Sequence, residues 1–337
     1  MQPSPNKFVT VLFGPLGDAL MALAFFDDLH RLAPDSTLLI LTRHGAKNIR
    51  QLAREYSQIE VREIPRGIAA LPFFWRVVMQ RSTTLLTLGL VSVGYSLPLR
   101  LFFLGMRLTG HRTIGFHDSF LHVHLNFDIK YLMIENLRRL LPYILGKAGE
   151  GMQPPPRLNL PQEKPTNTPE PKKYILAHLF GASIPHALPP ERWHELFLQL
   201  STAHPEFIII LTGVPAQRKI AEEIIAGLPN AQVRTDLSMP QLTWLVANAA
   251  LYIGIDTGVT HIAGLLQQKS VVVRHCSDPT WTPSYNPNAR VLYNPEHCTP
   301  NDPAACVMVE IGGRHYRRCA LDIPDEELLK AVEQALK

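Results

Sequence analysis

Cysteine is scarce in this chain. Only Cys276, Cys298, Cys306 and Cys319 occur among 337 residues, and no C-x-x-C pair is formed. A disulfide framework is therefore not expected, a zinc site has little support, and reduced thiols are the simpler expectation. The opening MQPSPNKFVTVLF lacks the charged flank, apolar stretch and small-residue cleavage site of a signal peptide, so no export signal is expected there. The longest apolar region, TTLLTLGLVSVGYSLPLRLFFLGMRLTG, is interrupted by Pro98 and Arg100. Neither half reaches the roughly 20 apolar residues that a membrane-spanning helix needs. The region reads instead as a strand near Leu85–Val91, a loop and a short helix. G-x-G-x-x-G, P-loop, H-E-x-x-H and G-x-S-x-G patterns are all missing, which removes the usual signatures of dinucleotide, nucleoside-triphosphate, zinc-protease and esterase chemistry. No dense basic run with interleaved aromatics occurs, so nucleic acid is not expected as a partner.

What is present is an ordinary globular balance, 46% apolar and 18% charged, in a chain long enough for two domains. Charge is uneven. Residues 1–160 carry 18 Lys and Arg against 11 Asp and Glu, whereas residues 161–337 carry 15 against 18. A basic first half suits an anionic partner, such as a membrane surface or a phosphorylated or carboxylated acceptor; scattered solvated charge is the plainer alternative.

KFVTVLF, GPLGD, ALMALAFFDDLHRLAP and STLLILTR give the order strand, loop, helix, strand that opens a parallel α/β domain. LLTLGLV and RTIGF follow as strands, and IKYLMIENLRRLLPYILG as one amphipathic helix. Seven prolines between residues 154 and 171 then mark a semi-rigid linker. After it the alternation restarts with YILAHLF and closes on the helix PDEELLKAVEQALK, whose first turn is acidic as the helix dipole favours. The expected organisation is a first domain over residues 1–150, a linker over 151–172 and a second domain over 173–337. Open parallel sheets bind ligands beyond the carboxyl ends of their strands, so functional residues should lie just after strands, along a cleft between two such domains.

Three places satisfy that condition. In IGIDTGVTHIAG, Asp256, Thr257 and Gly258 form a strand-to-helix turn, and free N–H groups at a helix start suit a phosphate. His261 could add a hydrogen bond or a positive charge. The alternative is a simple helix cap from Asp256 or Thr257. In LFGPLGDALMAL, Asp18 stands at the start of the first helix, where it can accept a proton or merely cap. In AHLFGASIPHALPPERW, the small-residue loop carries Ser183 and His186.

Together these segments resemble glycosyltransferase family 9, the heptosyltransferases. GPLGDALMALAFFDDLHRLAPDSTLLILTR, GYSLPLRLFFLGMRLTGHRTIGF, FGASIPHALPPERWHEL, LSMPQLTWLVANAALYIGIDTGVTHIAGLL and SDPTWTPSYNP are similar to that family's segments, in order. The resemblance implies an α/β protein of GT-B fold: two Rossmann-like domains with parallel sheets facing across a deep cleft. It implies inverting transfer from a nucleotide sugar, most often ADP-heptose, to a lipopolysaccharide core or similar glycan, with no cofactor and no required metal.

By the same resemblance Asp18 matches the general base. Thr257, Gly258 and His261, with Asp256 beside them, match the donor diphosphate site, which Ser183 and His186 also meet. Leu237 and Met239 border the nucleobase. His186 stands where many members carry lysine, and Gln217 where an acidic residue often meets the donor ribose. The implied partners are the donor and an anionic lipid-linked glycan, with cytoplasmic location and peripheral contact at the inner membrane. A transferase with another nucleotide-sugar donor, a nucleotide-sugar epimerase and a non-catalytic donor- or glycan-binding relative are the alternatives.

Overall fold

The β-branched run that opens each half becomes the first strand of a parallel sheet. A computed structural model of the protein describes residues 7–12, 16–42, 45–79, 83–86, 97–116, 121, 123–128, 130–146, 150–181, 187–274, 279–297 and 307–337. The chain divides into two units, Met1–Leu158 and Asn159–Lys337.

The first unit runs β1 (Lys7–Leu12), α1 (Leu16–Leu32), β2 (Thr37–Thr42), α2 (Ala46–Leu52), β3 (Ile59–Glu63), α3 (Ala70–Val78), β4 (Thr83–Leu86), α4 (Leu97–Leu108), β5 (Arg112–Phe116), β6 (Val123–Leu125), α5 (Met133–Arg138) and α6 (Leu141–Leu145). Its six strands lie in the order β3-β2-β1-β4-β5-β6, and every neighbouring pair is parallel. Val9 and Val11 of β1, Leu39 and Leu41 of β2 and Leu85 of β4 share a core with Phe102, Phe103 and Met106 of α4. Asp28 of α1 accepts hydrogen bonds from Arg138 of α5 at 2.8 Å and from Arg31 at 2.8 Å. That buried carboxylate is therefore committed to holding two helices together.

The second unit runs β7 (Tyr174–His178), α7 (Pro190–Ala203), β8 (Ile208–Thr212), α8 (Arg218–Ile224), β9 (Ala231–Arg234), α9 (Met239–Asn248), β10 (Leu251–Ile255), α10 (Gly258–Leu265), β11 (Ser270–Val273) and β12 (Ala289–Leu292). The hairpin β13 (Met308–Ile311) and β14 (Arg314–Arg317), then α11 (Arg318–Leu321) and α12 (Asp325–Leu336), complete it. The large sheet is again parallel, in the order β12-β11-β10-β7-β8-β9. Alternate residues such as Ile175, Leu211, Ile253 and Val271 meet Trp193 and Phe197 of α7 and Leu328 and Val332 of α12. The intervening residues Leu176, Ile210, Tyr252 and Val272 are buried as well. Both faces are covered, as a parallel sheet requires.

Counted from its own first strand, each sheet has the doubly wound order 3-2-1-4-5-6. The winding direction reverses between the first and fourth strands, and that reversal opens a crevice at their carboxyl ends. The crevice lies at β1 and β4 in one unit and at β7 and β10 in the other.

One expectation from the sequence needs correction. The single helix expected across IKYLMIENLRRLLPYILG is two short helices, α5 and α6, because Pro142 has no N–H to continue the first and instead sits in the opening turn of the second. Of the strand expected near Leu85–Val91, Leu85 and Leu86 lie in β4, and residues 87–96 lie outside the described residues. The short helix expected after it is α4, with Pro98 in its first turn.

The proline-rich segment is pinned along its length. Pro156, Leu158, Leu160, Pro161 and Pro165 are buried. Arg138 donates to the carbonyl of Pro154 at 2.8 Å, Arg234 to that of Thr166 at 2.7 Å, and the Lys172 N–H to that of Asn248 at 2.7 Å. Two arginines of the folded units thus donate into the segment, and at its end the segment donates back through Lys172. Among the described residues no helix is long and apolar enough to cross a membrane.

Candidate functional site

In the second unit the residues singled out from sequence come to one edge of the sheet. Gly181 follows β7, Gln217 follows β8, Leu237 and Met239 follow β9, and Asp256–Gly258 follow β10. Ser183 and His186, on the loop after β7, lie outside the described residues.

The β10–α10 turn is built by close contacts. A Cβ at Gly254 would stand 2.6 Å from two ring carbons of Tyr252 and closer still to its hydroxyl. Only glycine lets that ring fold back along the strand. The Tyr252 hydroxyl meets Thr260 Oγ1 at 3.0 Å, and Thr260 donates to the Ile255 carbonyl, so α10 is tied to the end of β10 by its own first turn. Thr257 takes the N-cap position in extended backbone, φ −141° and ψ 173°, and its side chain makes no capping hydrogen bond to the helix. Of the two readings left open, simple side-chain capping by Thr257 is thus not what the structure displays. The first amides of α10 carry the positive end of the helix dipole with no acidic residue in that turn.

His261 differs from the expectation of a positive charge. It is 3% exposed, stacked on Tyr285 with ring centres 6.4 Å apart and edge-on to Trp281 at 6.0 Å. Its Nδ1 lies 3.2 Å from the Tyr285 hydroxyl. Burial among aromatic rings pushes its pKa down to about 4, so the ring is neutral and can act only through hydrogen bonds. Gly264 makes this nest possible, because a Cβ there would meet the Tyr285 hydroxyl at 2.7 Å.

Gln217 spends its side chain locally: its Oε1 accepts from the Val214 N–H at 2.9 Å and its Nε2 donates to the Gly181 carbonyl at 3.4 Å. Leu237 and Met239 are half-buried on either side of Ser238, which opens α9 with a reciprocal capping box to Gln241. Sequence reasoning missed Arg274. It follows β11 directly, at the same sheet edge, in the position beside Asp256 when the β10–β11 register is continued by one residue. It is 3% exposed, and its guanidinium lies 4.4 Å from the centre of the Tyr293 ring. The rule of looking just after strands would have found it.

In the first unit Asp18 is the third residue of α1, immediately beyond β1 at the crevice. It is 8% exposed, and burial raises its pKa to about 6. Its carboxyl therefore holds a proton more readily than an exposed carboxylate does. No group of three His, Cys, Asp or Glu side chains that could hold a metal occurs among the described residues. Cys319 is buried, and the other three cysteines lie outside the described residues.

The family model of glycosyltransferase family 9 (heptosyltransferase) matches residues 107–311, more than half of the chain. The chain belongs to glycosyltransferase family 9. Lipopolysaccharide heptosyltransferase 1 of Escherichia coli (strain K12) is 25% identical over 107 residues, which is 32% of this chain and 33% of that protein. The match thus spans about a third of the length of that curated relative.

Solved structures of family members are similar over nearly the whole chain. The E. coli heptosyltransferase WaaC with ADP has a TM-score of 0.69 at 17% identity, covering 97% of each chain. The family 9 glycosyltransferase from Veillonella parvula DSM 2008 has a TM-score of 0.73 at 14% identity, covering 100% of this chain and 98% of that one. The likeness shows that the family 9 chain has the expected GT-B architecture of two parallel six-stranded sheets with flanking helices.

Proposed function

We propose that this family 9 chain is an inverting glycosyltransferase that moves a sugar, in the first instance heptose from ADP-heptose, to an anionic lipid-linked glycan of lipopolysaccharide type. The observation that carries the reading is Asp18, a buried carboxylate at the crevice of one sheet with its pKa lifted to about 6. Such a group is ionised at neutral pH yet basic enough to accept a hydroxyl proton as an acceptor attacks. The acceptor oxygen then bonds to the anomeric carbon from the face opposite the diphosphate. The bond from that carbon to the diphosphate oxygen breaks, and its electron pair leaves with the nucleotide. A single displacement of this kind inverts the anomeric centre.

The departing charge needs donors and a cation. The first amides of α10 after Thr257, the neutral His261 as a hydrogen-bond partner, and Arg274 as a permanent charge at the same edge supply them without a proton being moved. Ser183 and His186 belong to the loop that meets the same diphosphate in this reading, and Leu237 and Met239 flank the base. The adenine donor is supported by the ADP carried by WaaC, and the acceptor class by the relative's description as a lipopolysaccharide heptosyltransferase. The basic first half suits an anionic acceptor at the cytoplasmic face of the inner membrane.

Two measurements test this reading. Calorimetric titration with ADP, UDP and GDP should show preference for ADP; preference for UDP or GDP would replace the donor, and no nucleotide binding would remove the donor site. A transfer assay on Asp18→Asn should show loss of turnover, and retention of the wild-type rate would remove Asp18 as base.

A further inference from the structure

Residues 64–117 contain six arginines (Arg66, Arg76, Arg81, Arg100, Arg107 and Arg112) and neither aspartate nor glutamate. This carboxylate-free run includes α3 and α4. The two helices meet through Phe74 and Phe102, whose ring centres are 4.7 Å apart. Outside that seam large apolar side chains face solvent: Trp75 is 63% exposed, Met79 59%, Leu101 57% and Leu108 77%. Trp75 and Met79 stand one turn apart, and Leu101 and Leu108 two turns apart, so each pair shares a helix face. Arg76 and Arg107, each next to a member of these pairs, are exposed as well.

Four large apolar side chains turned outward on two packed helices go beyond the singly scattered exposure that is ordinary on a protein surface. A second copy of the chain is a poor occupant, because it would set arginine against arginine with no carboxylate from either run to pair them. An anionic bilayer supplies both halves of the complement: phosphates for the guanidinium groups and an interfacial layer where tryptophan and leucine bury shallowly.

We propose that the outward faces of α3 and α4 dock the first unit onto an anionic lipid surface. Trp75, Met79, Leu101 and Leu108 enter the boundary between headgroups and acyl chains, and Arg76 and Arg107 pair with lipid phosphates. The inference extends the proposed lipid-linked acceptor, but its test does not depend on transfer or on the donor. Full-length protein is sedimented with vesicles of phosphatidylcholine alone and with vesicles that also contain phosphatidylglycerol. Binding to the mixed vesicles, weakened by salt and absent from the neutral ones, is expected.

The double variant Trp75→Ser/Leu108→Ser should bind about tenfold more weakly or worse. Arg76→Gln/Arg107→Gln should lose the preference for phosphatidylglycerol. ADP titration and melting temperature, read on the same variants, should stay at wild-type values, which separates this inference from the donor reading. No binding of wild type to the mixed vesicles at low salt would overturn the proposal, as would binding unchanged in both double variants. Self-association that the Trp75→Ser/Leu108→Ser variant abolishes, without vesicle binding, would reassign the face to a second copy. If the variants do not fold, quenching of wild-type tryptophan fluorescence by brominated lipid decides instead: quenching supports docking and its absence overturns it.

Discussion

The two units have the same strand order and present different chemistry at the crevice between their first and fourth strands. Beyond β1, the third residue of α1 is the buried carboxylate Asp18. Beyond β10, Asp256 stands ahead of the helix, while the first turn of α10 itself has no acid, an N-cap threonine whose side chain leaves the helix amides alone, and a neutral histidine one turn in. A carboxylate inside a first turn already occupies the positive end of a helix and repels an incoming anion; a first turn without one leaves that end to a ligand. Strand order thus fixes where a site forms, and one or two residues in the following turn fix which charge it works on. In the proposed reading the first unit takes a proton and the second holds a phosphate.

The comparison breaks most sharply if Asp18 is replaced. Asp18→Asn should lower turnover by about 10²–10⁴-fold while leaving ADP affinity at the wild-type value by calorimetry. In the wild type, kcat/KM should fall as pH drops below about 6, where the carboxylate takes up its proton. A flat profile through that range would separate the raised pKa from the chemistry.

The next effect concerns stability. The folded pKa of Asp18 lies above that of an unfolded carboxylate, so its protonated form favours the fold. That contribution is complete below about pH 4 and is lost as pH rises through about 6. Removing the charge should therefore stabilise the protein by about 2–3 kcal/mol above neutral pH and by little in acid. Melting curves of wild type and Asp18→Asn across pH check this, and equal melting temperatures in alkali would contradict it.

In the second unit Arg274→Gln should weaken ADP binding by about 10–100-fold, the range for a hydrogen bond to a charged group, and leave adenosine binding unchanged. An equal loss for both ligands would make Arg274 structural. Gly254→Ala should destabilise the fold by about 1–3 kcal/mol in denaturant unfolding, since its Cβ overlaps Tyr252. The smallest effect is expected at Thr257. Without a capping bond to lose, Thr257→Ala should change stability by under about 0.5 kcal/mol, while ADP affinity drops by about three- to tenfold. A stability loss of the usual capping size would restore the simple cap reading.

Much of this was legible from residue order. The β-branched runs, the acidic first turn of the last helix and the strand-to-helix positions of Asp18 and Asp256–Gly258 all follow from local rules, and the structure has them where those rules put them. What escaped depends on contacts distant in sequence. The neutrality of His261 comes from Tyr285 and Trp281, some 20 residues on. Arg274 gains its place from β11 lying beside β10, which only sheet order reveals. The proline-rich segment reads as a spacer from composition, because nothing local announces the arginine and carbonyl partners that pin it. The hairpin β13–β14 did carry a local signal: Gly312 and Gly313 both have positive φ, 58° and 71°, as a two-residue turn of this kind requires.

Gly254 and Tyr252 have a consequence for how such a chain can diverge. The tyrosine ring occupies the space where any other residue at 254 would place its side chain, and its hydroxyl reaches across to Thr260. Position 254 cannot be enlarged alone. A lineage that enlarges residue 254 must first shrink residue 252, and in doing so it surrenders the tie to α10. Across descendants of this sequence a larger residue at 254 should be found only where residue 252 is smaller than tyrosine.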